Sequence, residues 1–156
     1  MIYPAIYVGA IVSANLLIAL FGPWWSPVNA LLLIGMDLSL RDHLHEKFGV
    51  WVVGGLVLVA GALSWLLNPA TLNIAVASAM AFTASSLLDT ASFEALKGKR
   101  WLIRANGSNV VGAAVDSLLF PTLAFGVLMP WVVAAQFVAK VIGGLFFSFL
   151  LWRGRP

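Results

Sequence analysis

The chain has no cysteine and little charge. Without thiols it forms no disulfide, has no thiolate nucleophile and builds no thiolate zinc site. Charged residues make up 10% of it, against about 25% in a soluble domain. Histidine is almost as scarce. The two present, His43 and His45, point apart on a helix, and no His-Glu-x-x-His string accompanies them. Neither a metal nor a cofactor is expected. No Gly-x-x-x-x-Gly-Lys loop exists to hold a nucleotide, so any use of ATP would require another chain. Serines are plentiful, but no histidine lies near the carboxylates that fall at mid-membrane depth. The chain does not read as an enzyme.

What fills the sequence instead is apolar. Hydrophobic residues account for 62% of the 156 positions, and mean hydropathy is +0.99. Too little polar surface is available to cover a water-soluble fold of this size. The excess apolar surface belongs in lipid. The net charge of +3 and pI of about 9.7 would suggest nucleic acid in a soluble protein. Here the basic residues lie between apolar stretches, so they report topology and no nucleic-acid partner is expected. No basic region precedes the first apolar stretch, so a cleavable signal peptide is not expected.

A membrane-spanning helix needs about 20 apolar residues. Residues 1–36 carry no charge and are divided by Gly22, Pro23 and Pro27. Residues 48–88 also lack charge. As one helix they would be roughly 60 Å long, about twice the hydrocarbon thickness, so the chain turns back, at Asn68-Pro69. Met129-Pro130 marks another tight turn. The spans predicted are 3–21, 28–46, 49–67, 71–93, 106–128 and 131–152. They form one domain, an all-α bundle of six transmembrane helices with short loops. The basic residues Arg41, Lys47, Lys97, Lys99, Arg100, Arg104, Arg153 and Arg155 fall at alternate loops or at the C-terminus. By the positive-inside rule both chain ends are cytoplasmic. Trp24, Trp25 and Trp131 then fall at the outer interface, Trp101 and Trp152 at the inner one. Five spans with a re-entrant segment is the competing topology. Small residues recur on span surfaces, as at Gly9, Ser13, Gly54, Gly55, Gly61, Gly112 and Gly143-Gly144. They serve either internal packing or a homodimer.

Asp37, Asp116 and Lys140 each lie roughly 13–15 Å into a span, near the bilayer centre, where Asn15 and Ser78 also fall. An ionisable side chain at that depth costs several kcal/mol unless paired or hydrated, and marks a functional site by default. Lys140 and Asp116 sit at matching depth on adjacent antiparallel spans, placed for an ion pair that either locks the helices or lines a solute cavity. Asp37 has no counterpart at its level. Asn109, Gly112 and Asp116 share one helix face, as do Gln136 and Lys140. Asp37, Arg41 and His45 form a stripe towards the inner edge, with Asp42 and Glu46 beside it. That stripe is a salt network or a cytoplasmic gate. Asp89 either neutralises the basic loop 97–104 or closes a substrate path. Asp89-Thr90-x-x-Phe93 is echoed by Asp116-Ser117-x-x-Phe120, and Pro121 is expected to kink or break its span.

These residues carry a resemblance. The segment from Arg104 through Ser108, Asn109 and Gly112 to Asp116-Ser117-x-x-Phe120 resembles that of the vitamin-uptake-type (VUT) transporters, which include the queuosine precursor transporters. Arg41-Asp42-x-x-His45-Glu46 with Gly49 resembles the charged end of an early helix of that family. Asn15 matches a polar asparagine near the start. The likeness spans about residues 10–150. It implies a six-span protein of the inner (cell) membrane, related in fold to the substrate-binding subunits of energy-coupling-factor importers. It also implies uptake of 7-deazaguanine bases, preQ0 and preQ1. Asn15, Asp37, Asn109, Asp116, Phe120, Gln136 and Lys140 are then the candidates for binding such a purine-like base. Arg41, Asp42, His45, Glu46, Asp89 and Arg104 are candidates for gating. The other classes are a solute-binding subunit that needs an energising partner and a non-transporting scaffold, which would have no use for polar groups at mid-depth.

Fusing a fluorescent protein or alkaline phosphatase to the C-terminus tests the topology. The fluorescent fusion should glow and the phosphatase fusion should be inactive; the opposite pattern would reverse the orientation.

Overall fold

The computed structural model describes residues 2–153. Arg155, and the side chains of Asp42, Trp152 and Arg153, lie outside the described residues. The helices are α1 (Ile2–Phe21), α2 (Ser26–Asn29), α3 (Gly35–Phe48), α4 (Val50–Leu67), α5 (Leu72–Ala95), α6 (Trp101–Phe125) and α7 (Pro130–Arg153). Short 3-10 turns occupy Pro23–Trp25 and Pro69–Thr71, and a π turn occupies Ala30–Ile34. No strand occurs among the described residues.

Local chemistry explains the boundaries. Gly49 turns the chain between α3 and α4 at φ 82°, a conformation strained for any side chain. The Asn68 side chain accepts from the Ala70 amide at 3.1 Å, and the Thr71 hydroxyl donates to the Asn68 carbonyl at 2.7 Å. Pro69 supplies the fixed φ of the turn between them. Gly126, at φ 71°, closes α6, and Pro130 opens α7. Of the two outcomes expected at Pro121, a kink or a break, the break does not occur: α6 runs through it to Phe125. A proline removes one backbone donor and leaves the other bonds of the helix in place.

Among the described residues, five helical segments are long and apolar enough to cross a bilayer: α1, α4, α5 with its preceding turn, α6 and α7. The stretch 26–48 stands apart. It is helical without a gap, yet it passes from α to π and back to α, and its last part carries most of the early charge. α5 packs along α6, α1 along α4, and α3 with its π turn along α7. Tyr7, Ile11, Leu40, Leu44, Val53, Val57 and Ala60 make the apolar core where α1, α3 and α4 meet. The outside is equally apolar. Trp51 is 90% exposed, Leu58 68% and Phe146 58%. A soluble monomer does not present such a continuous surface; here it faces lipid. The molecule is a multi-pass membrane protein.

Small residues act at fewer places than the sequence suggests. Gly9, Gly54 and Gly55 have open space where a Cβ would be, and Gly61 would touch only Ala75. The close crossing lies elsewhere, between α7 and the π turn. A Cβ on Gly143 would sit 2.5 Å from the Leu31 carbonyl oxygen and 3.1 Å from the Gly35 Cα. Both are backbone atoms, which do not swing aside. Gly143→Ala should therefore lower stability by about 1–3 kcal/mol, whereas Gly9→Ala should change it by less than about 0.5 kcal/mol. Thermal unfolding of the two variants in detergent checks the contrast. Equal melting temperatures would remove the crossing from the account.

Candidate functional site

The polar residues at mid-depth converge. One cavity in the bundle is bordered by Asn15, Asp37, Asp116, Phe120, Gln136 and Lys140. These are six of the seven binding candidates read from the sequence. Asn109 is the exception. It is buried two turns along α6 from Asp116, its amide near the Gly144 backbone, and neither its nitrogen nor its oxygen has a partner. Sharing a helix face with Asp116 does not bring it to the cavity, because seven residues separate them by about 10 Å of rise.

Lys140 is the centre of a relay. Its ammonium donates to Asp116 Oδ2 at 2.6 Å and to Gln136 Oε1 at 2.9 Å. The Gln136 amide donates in turn to Ser26 Oγ at 2.5 Å. One chain of hydrogen bonds thus joins α6, α7 and α2. Lys140 is 1% exposed. With two strong acceptors, it is held rather than stranded. Asn15 donates to Ser64 at 3.1 Å, and Asn29 donates to the Ala14 carbonyl at 3.1 Å. Ile11, Ile18, Val57 and Phe82 supply the apolar walls.

Two acceptors in this cavity have no partner: Asp37 Oδ1 and Asn29 Oδ1. They share one side because of the π turn. In an unbroken α-helix, side chains eight positions apart point about 80° away from each other. A π turn absorbs one extra residue, which brings positions 29 and 37 to within about 20°. The sequence reading overlooked Ser26 and Asn29, taking them for an outer loop and helix start. Tyr7 and Phe82 were also missed. Periodicity does not reveal a π turn, and Tyr7, whose phenol lies beside Asp37, reads as one more interfacial aromatic.

A second polar layer lies towards the charged end. Arg41 Nη2 is 3.3 Å from Asp89 Oδ2, with both side chains buried. Arg41 also donates to Ser86 Oγ at 3.3 Å and stands over the Phe82 ring. Gly112 makes the room: a Cβ there would press on Asp89 and on Arg41 Nη2. Asp89 therefore faces Arg41 and not the basic loop. Glu94 serves that loop, 3.4 Å from Lys97 and 3.7 Å from Arg104. Beyond the pair opens a vestibule bordered by His45, Glu46, Asp89, Thr90, Phe93 and Glu94. Arg104 stacks on Phe93, 3.8 Å from its ring centre, and Trp101 donates to Glu46 at 3.0 Å. The two Asp-hydroxyl-x-x-Phe strings hence play parallel parts. Asp89 holds Arg41 of α3 beside the vestibule that Phe93 lines, and Asp116 holds Lys140 of α7 beside the cavity that Phe120 lines.

An apolar bundle around a polar cavity, separated from a charged vestibule by a buried ion pair, is the arrangement of a membrane protein that handles a solute. A family model described as "Putative vitamin uptake transporter" matches residues 6–152, and the chain belongs to that family. No curated protein and no solved structure matches it.

Breaking the central pair from one side should cost more than removing it. Lys140→Met leaves the Asp116 carboxylate without its cation, which costs about 3–5 kcal/mol for a buried pair. Lys140→Met combined with Asp116→Leu should regain most of that. Melting temperatures in detergent report it; a double variant less stable than the single one would mean that the two residues do not act as a pair.

Proposed function

We propose that the protein carries a small polar solute into the cell across the inner membrane, through six spans with both chain ends cytoplasmic. The stretch 26–48 is the sixth span, with Asp37 and Arg41 sheltered by the helices around it. The solute is a 7-deazaguanine base, preQ0 or preQ1. Three things support the reading: family membership, the resemblance of Arg104–Phe120, and the chemistry of the cavity. The observation that carries most weight is the carboxylate oxygen of Asp37, left unpartnered in a cavity that also holds the Lys140–Asp116 pair.

Such a base offers a ring N–H beside an exocyclic amine. One carboxylate accepts both, as carboxylates do on base edges elsewhere. Asp116 can take that edge once Lys140 shifts to the solute carbonyl, and Asp37 has an oxygen to spare for a further donor of the solute. Asn15 and Gln136 stand at the wall to meet the carbonyl edge. Phe82 and Phe120 offer ring faces for stacking. The Arg41–Asp89 pair is the inner gate, and parting it connects the cavity with the vestibule of His45 and Glu46. Arg104 braces that vestibule through Phe93 and Glu94.

Uptake of labelled preQ1 and preQ0 in cells lacking their own transporter and synthesis route tests this. The wild type should accumulate label. Asp116→Asn, expressed at the same level, should lose at least about 90% of that uptake, since the variant removes a charge-assisted partner of Lys140. A folded wild type that moves neither base would overturn the substrate assignment.

A further inference from the structure

The buried ionisable groups do not balance. Among the described residues, the buried Asp37 and Asp89 and the largely buried Asp116 face two buried cations, Arg41 and Lys140. Each cation is already paired, Arg41 with Asp89 and Lys140 with Asp116. The carboxylate in excess is Asp37, 5% exposed, which borders the cavity with Oδ1 unpartnered and the Tyr7 phenol beside it. The groups facing it are Tyr7 from α1, Asp116 from α6, Lys140 from α7 and Arg41 on its own helix. α4 and α5 contribute only Val57, Ser78 and Phe82 to this cavity, none of which titrates. An uncompensated carboxylate in so apolar a place is costly, and a proton or a counter-ion must relieve it.

We infer that Asp37 is the docking point for a positively charged group of the solute, a protonated amine, and that a proton holds the same place when the cavity is empty. The inference rests on the proposed use of this cavity as the solute site. Exchange is balanced: the arriving ammonium forms an ion pair with the Asp37 carboxylate, and the carboxyl proton leaves to water. Lys140 and Arg41 act on Asp37 at longer range, while their short contacts go to Asp116 and Asp89. Asp37 thereby becomes a specificity residue. It favours an aminomethyl base over the corresponding nitrile base, which has the same ring but no positive charge. The second orphan acceptor, Asn29 Oδ1, points to an additional N–H donor at the outer end of the same solute.

A hydrophobic carbodiimide, which attacks protonated carboxyl groups in apolar sites, reads the state of Asp37 directly in the purified full-length protein. Peptide mapping would locate the label, with Asp37→Asn as the blank. Asp37 should be labelled in the empty protein. The cationic base preQ1 should slow labelling at least about tenfold, as expected for a charge-assisted contact, and should release protons into weakly buffered solution. The neutral base preQ0 at equal concentration should protect far less. Benzylamine and benzyl alcohol form a second pair, matched in shape and free of any purine character. If neither base protects but benzylamine does and benzyl alcohol does not, the purine assignment fails and the counter-ion role stands. A folded empty protein unlabelled at Asp37 would overturn the inference. So would equal protection by charged and neutral partners, or no protection by any amine.

Discussion

A lysine ammonium in the middle of an apolar bundle has to be held, and the hold on Lys140 organises what surrounds it. Within a bilayer, helices gain little from apolar contact with one another, because lipid tails serve as well. Polar contacts and close backbone crossings must fix the arrangement instead. The relay from Asp116 through Lys140 and Gln136 to Ser26 ties three helices at one depth. The Arg41–Asp89 pair ties α3 to α5 at the next depth. Gly112 leaves room for the Arg41–Asp89 pair, and Gly143 lets α7 cross the π turn at backbone contact. Charge compensation therefore organises both the cavity and the polar layer beside it.

Much of this was legible in the residues, and the parts that were not share a cause. The helical class followed from apolar runs too long for anything else. The turn at Asn68-Pro69 followed from residues that cannot continue a helix. Lys140 and Asp116 were paired by depth alone, since two opposite charges on neighbouring antiparallel helices have few other partners. Depth is a coordinate that sequence supplies well. Rotation about the helix axis is not, once a helix departs from 3.6 residues per turn. The π turn at Ala30–Ile34 shifted the phase of everything after it, so Asn29 entered the cavity unforeseen. Asn109 shares a helix face with Asp116, but its height places it near Gly144 and away from the cavity lining. The glycines of α1 and α4 were legible as small and misleading as contacts, because composition does not say which face looks outward.

The interrupted helix also explains why the two polar layers stay distinct. α2 and the π turn present Ser26 and Asn29 to the upper part of the cavity, α3 brings Asp37 to its middle, and one turn further Arg41 enters the closing pair. On the proposed reading a single segment thus reaches both the solute space and its gate, and a solute that engages Asp37 acts one helical turn from the Arg41–Asp89 pair.

That same segment has a consequence for how the protein is made. Each charge at the middle of an inserting helix costs about 2.5–3.5 kcal/mol, and residues 26–48 carry Asp37 and Arg41 among others. Emerging before the helices that surround it, this stretch is a poor candidate to enter lipid unaided. The partner that fits its π turn and glycine is α7, which is synthesised well after it. Its final seat exists only once α7 has been made. Until then the stretch must wait at the membrane surface or in the care of the insertion machinery, and a product lacking α7 would lack the groove that receives it.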